Sequence, residues 1–119
     1  MRNPRIDKLA KLLINHSCSL KPSERVLIET IGIHREMIIA LIREAKKVGA
    51  TPIVRIKDDR IIRELCICYN EDDVKLMVDC ELYTLEQMNA FIGLRGFLNI
   101  NELSGVPRDN LRRILKHYI

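Results

Sequence analysis

The sequence predicts a small three-layer α/β fold: a parallel sheet of about three strands with helices on both faces, in the order α-β-α-β-α-α-β-α. Three observations carry that expectation. Short runs rich in Val, Ile and Leu alternate with longer stretches whose apolar residues recur at helical spacing. Strands separated by helices cannot be hairpins, so they should run parallel, joined by right-handed crossovers. The chain has 119 residues, 47% of them hydrophobic, which suits one domain, residues 1–119, with one ordinary core. With no Trp, three Tyr and two Phe, that core must be aliphatic.

Asp7 to Ser17 reads as an amphipathic helix, with Ile6, Leu9, Leu12 and Leu13 on one side and Lys8, Lys11 and Asn15 outward. Lys21-Pro22-Ser23-Glu24 is a turn, because proline presets the backbone and the polar pair keeps it at the surface. Arg25 to Glu29 is a short buried strand. From His34 to Val48 the helical pattern returns through Ile38, Leu41, Ile42 and Ala45, and Gly49 ends it as a cap. Thr51 to Lys57 is a second strand, with Pro52 tolerated near its start.

Asp58-Asp59 opens a helix through Ile61, Ile62, Leu65 and Cys66, and Asn70-Glu71-Asp72-Asp73 caps the next. Thr84-x-x-Gln87 is another capping spelling, which leaves open one long helix or two short ones. Ala90 to Arg95 is a third strand, Asn99 to Gly105 a polar loop, and Arg108 to Tyr118 a final helix. The chain stops at His117-Tyr118-Ile119 while still helical in pattern, which reads as a cut.

The net charge of +4 is unevenly spread: Glu71 to Glu86 is acidic, and residues 1–25 and 95–119 are basic. The basic residues are not interleaved with aromatics and fit no recognition module, so nucleic acid is not an expected partner. The longest uncharged apolar run, Met37 to Ile42, is too short to span a bilayer, and no signal core is present. A cytoplasmic protein with no membrane association is expected. In that reducing compartment Cys18, Cys66, Cys68 and Cys80 should be thiols that pack as small buried hydrophobes. Cys66 and Cys68 sit two apart in a helical segment, about 200° round the axis, and cannot easily grip one ion.

No dinucleotide fingerprint, phosphate loop, nucleophile elbow or zinc-protease spelling occurs, and His16, His34 and His117 belong to three different helical segments. No catalytic or metal residue is therefore assigned. The privileged place is the carboxyl end of the parallel strands, where ligands collect in such sheets. Glu29, Thr30, Asp58, Asp59 and Arg95 lie there and are the candidate ligand-binding residues, although Asp58-Asp59 is also accounted for as helix-start chemistry.

Three stretches carry a family likeness. Asp7 to Ser17, then Leu20-Lys21-Pro22-Ser23-Glu24-Arg25-Val26-Leu27-Ile28, then Leu41 to Val54 with Glu44-Ala45 and Gly49-Ala50 at their spacing, together resemble one domain. With Ala90 to Arg95, Asn99 and Asn101-Glu102-Leu103, the whole chain is similar to the amino-terminal domain of the aminopeptidase T and aminopeptidase S type metallo-aminopeptidases, the thermophilic metalloproteases. Ser23 departs from that family's usual glycine. The resemblance implies a parent enzyme that releases amino-terminal residues from peptides at a centre of two divalent ions, of zinc or cobalt type. Its ligands come from a carboxyl-terminal region beyond this chain, so none maps to a residue here.

The leading expectation is thus a fragment or isolated domain of a metal-dependent aminopeptidase, catalytically incomplete and holding no cofactor of its own. Peptide substrate belongs to the full-length enzyme. The surface normally covered by the missing catalytic domain should drive homo-oligomer formation through Leu111, Ile114, Leu115 and Tyr118, an apolar stripe on the last helix. The alternatives are a stand-alone α/β ligand-binding module with its site at the strand ends, and a protein-association subunit.

Overall fold

The computed structural model of the chain describes residues 3–32, 34–95 and 99–102, the last of these as backbone. Helix α1 spans Pro4–Leu12. It starts three residues before the apolar pattern suggests, because Asn3 caps it, accepting from the Arg5 N–H at 2.9 Å, and Pro4 occupies the first turn, where no amide is needed. A π-helical turn, Leu13–Ser17, carries it on to Cys18.

The Lys21–Glu24 turn then closes on itself. The Glu24 carboxylate accepts from the Lys21 N–H at 2.7 Å, and the Ser23 N–H donates to the Gly49 carbonyl at 2.9 Å. Gly49 ends helix α2 (Arg35–Lys47) with φ of 81°. A Cβ there would meet Pro22 at an ordinary contact distance of 3.4 Å, so it is the left-handed backbone angle that calls for glycine.

Strands β1 (Arg25–Ile31), β2 (Thr51–Lys57), β3 (Ala90–Arg95) and β4 (Asn99–Glu102) form one sheet in the order β2-β1-β3-β4. The first three are parallel, as the helical crossovers require. β4 is antiparallel to β3 and corrects the expectation of a polar loop from Asn99. An edge strand needs only one row of backbone bonds, so Asn-Ile-Asn-Glu pairs without a buried apolar run.

Alternation along β1 builds two cores. Val26, Ile28 and Thr30 face α1 and α2, packing with Ile14, Leu41, Ala45, Ile92 and Leu94. Leu27 faces the other side with Phe91, beneath Leu82 and Leu85 of α4 (Glu71–Glu86). Helices therefore cover both faces of the sheet. α4 is one continuous helix: the Asn70 capping box starts it, and Thr84, inside it, turns its hydroxyl back to donate to the Cys80 carbonyl.

α3 (Asp59–Cys68) buries none of its residues. Its position corrects the cysteine expectation. Only Cys18 is buried; Cys66, Cys68 and Cys80 are exposed, because α3 and the outer side of α4 stand clear of the core. Among the described residues no helix is long and apolar enough to cross a membrane. The expected final helix and its stripe, Leu111, Ile114, Leu115 and Tyr118, lie outside the described residues.

Candidate functional site

Glu29 organises the face of the sheet that looks toward α4. Leu27 starts this row inside the apolar layer; two residues on, the same face must accept a carboxylate. Glu29 is buried, 7% exposed, so its charge needs partners. The parallel register supplies them. Arg55 lies opposite Glu29 on β2, and both Lys57 and Arg95 lie opposite Ile31, one step toward the strand ends. The Arg55, Lys57 and Arg95 nitrogens stand 3.7, 3.6 and 3.9 Å from the Glu29 carboxylate. Gly93, opposite Glu29 on β3, brings no side chain to the row.

α4 closes the cluster from above. Glu81 forms an ion pair with Arg55 and stands 3.3 Å from Lys57. Among the described residues, three cations thus surround two carboxylates at the carboxyl ends of the parallel strands. Burial pushes the Lys57 ammonium below its ordinary pKa; the attraction of Glu29 opposes this, and Arg55 and Arg95 add to the lowering. Lys57 therefore gives up its proton more readily than a surface lysine. Chemically, the cluster can hold an anionic group or ease a proton off Lys57.

Of the five strand-end candidates, Glu29 and Arg95 meet here. Thr30 does not: it points to the opposite face, fully buried, and its hydroxyl donates to the Gly32 carbonyl at 2.8 Å. Asp58 caps α3, accepting from the Arg60 and Ile61 N–H groups at 2.9 and 3.2 Å, and Asp59 is an exposed residue of the first turn. Lys57 belongs to the strand end that the sequence singles out, though not to the five residues chosen there, and Arg55 and Glu81 were not among the candidates. The period-2 spacing of Arg55 and Lys57 on a strand was the available signal for Arg55. Nothing in the sequence points Glu81 at them.

The described residues do not fit a metal centre: no three His, Cys, Asp or Glu side chains among them come together as ligands. The two clustered carboxylates are taken up by cations, which would repel a divalent ion placed between them.

A family model described as thermophilic metalloprotease (M29) matches residues 2–118. Among solved structures, wild-type AmpT from Thermus thermophilus is similar in fold, with a TM-score of 0.60 at 18% identity, covering 93% of this chain and 29% of that one. The chain thus spans less than a third of that structure's length. No curated protein sequence matches it.

Proposed function

The chain belongs to the thermophilic metalloprotease (M29) family, and we propose that it forms the amino-terminal α/β domain of a metal-dependent aminopeptidase, beside the metal centre and not supplying it. The family match across residues 2–118 carries this reading. The engagement of Glu29 and Glu81 by Arg55, Lys57 and Arg95 supports the second half of it, since carboxylates held by cations are poor ligands for a divalent ion. On this reading the two divalent ions, zinc or cobalt in type, and the peptide whose amino-terminal residue is released belong to the complete cytoplasmic enzyme.

Elemental analysis of the dialysed chain, with a chromogenic aminoacyl assay in cobalt or zinc, tests it. Neither stoichiometric metal nor turnover is expected. Finding both would place the centre within this chain and overturn the reading.

The strand-end cluster favours a second reading, a ligand-binding module that takes an anionic group at Lys57 and Arg95. Titration with N-acetylated amino acids, followed by the amide resonances of Ile31 and Gly93, separates the two. Saturable shifts lost in Lys57→Met would favour the module; unchanged resonances would count against it.

A further inference from the structure

α3 is amphipathic and yet none of its residues is buried; Ile61 is 63% exposed. Between it and α4 runs a groove of about 390 Å³, walled by Ile61, Ile62 and Leu65 of α3 and by Val74 and Met77 of α4. That volume and the mostly apolar walls suit a small molecule. Lys57 and Glu81 line the groove too, and the Lys57 Nζ stands 3.3 Å from the Glu81 carboxylate. Apolar walls are thus joined to one amine of the strand-end cluster.

What can sit against that amine follows from its neighbours. Glu81 pairs with Arg55, and Glu29 has Arg55 and Arg95 at 3.7 and 3.9 Å. Neither carboxylate is therefore orphaned when Lys57 loses its charge. Asp58, also in the lining, accepts from the first-turn amides of α3. Lys57 itself is partly buried beside the guanidinium groups of Arg55 and Arg95, a setting that favours the neutral, nucleophilic amine over the cation.

A neutral electrophile with an apolar chain matches both features. We propose that the groove binds aldehydes with an apolar chain, whose carbonyl carbon condenses with the Lys57 amine to an imine. Nζ passes one proton to Glu81, and its lone pair forms the C–N bond as the carbonyl pair moves onto oxygen. A second Nζ proton moves to that oxygen, Glu81 returns the first, and the oxygen leaves as water. Ammonium and aldehyde become iminium and water, with nothing oxidised or reduced. Condensation at Lys57 needs neither the aminopeptidase nor the anion-binding reading: an anion requires the charged lysine, whereas the imine forms from the neutral one.

Reductive trapping of the full chain tests this. Octanal is added at about pH 7, where surface lysines are ammonium, with sodium cyanoborohydride to reduce the iminium to a stable secondary amine. Labelling is followed lysine by lysine by mass spectrometry. Lys75, exposed on α4 and outside the groove lining, is the internal control, and propanal is the short-chain one. The rate advantage of octanal over propanal should be roughly tenfold larger at Lys57 than at Lys75, as burial of about two further methylenes would give. Ile61→Glu, a change at an exposed position, should abolish that advantage and leave propanal labelling of Lys57 nearly unchanged.

An octanal advantage no larger at Lys57 than at Lys75 would overturn the proposal, because the amine would then be reactive without a groove to bind the chain. So would an advantage that survives Ile61→Glu.

Discussion

At Ser23 the backbone adopts φ of 70°, a left-handed conformation in which a Cβ crowds the neighbouring carbonyl. The turn holds because the Lys21 and Ser23 amides both find acceptors, Glu24 and Gly49. Family resemblance places glycine at this position, and the strain explains that preference: glycine has no Cβ to crowd. Ser23→Gly is therefore expected to stabilise the chain by about 1 kcal/mol, the lower end of the left-handed penalty. Urea unfolding should give a higher midpoint with the same slope. A lower midpoint would mean that the extra unfolded-state freedom of glycine outweighs the strain. The Lys-Pro-Ser-Glu spelling was enough to locate this turn; the sign of φ at Ser23 was not in it.

Helix ends were the most readable features of the elements, because a cap acts within three residues of itself. Asp58 and Asn70 both stand where their spelling puts a cap, and each accepts from the first turn of its helix. Their consequences differ. α4 is anchored on the sheet by Leu82 and Leu85, whereas α3 has no buried residue and depends more on its cap. Asp58→Ala is expected to cost α3 about 1 kcal/mol, speeding amide exchange across residues 60–68 about fivefold. The midpoint of global unfolding should move much less. A large global loss with unchanged local exchange would show that Asp58 braces more than its own helix. Strand β4 was the element the sequence concealed: its four residues lack the apolar run that marked the other three, since backbone pairing with β3 defines it.

Glu29 and its partners tie β1, β2, β3 and α4 together, so the charge on Lys57 bears on the stability of the entire fold. Folding lowers the Lys57 pKa below the ordinary value of 10.5. Between the folded value and 10.5 the unfolded chain holds the extra proton, so stability rises with pH through that window and is flat below it. In Lys57→Met this alkaline rise should disappear. Urea unfolding of both chains at several values up to about pH 10.5 is the check. Equal slopes would mean that Lys57 is as well solvated as a surface lysine.

The same cluster marks the boundary of what was legible. The order of elements as far as β3, the three parallel strands, the turn at Pro22 and the caps at Asp58 and Asn70 follow from signals spanning a few residues, where periodicity and backbone preference act directly. The family likeness was legible too, from the spacing of Glu44-Ala45 and Gly49-Ala50. Which charges meet was not. Thr30 and Glu29 are neighbours in sequence and on opposite faces of the sheet, and Glu81 reaches Arg55 and Lys57 from a distant helix. Those pairings depend on strand register and on the rotation of α4 over the sheet. Both are set by how Leu27, Phe91, Leu82 and Leu85 pack, and no local pattern encodes that.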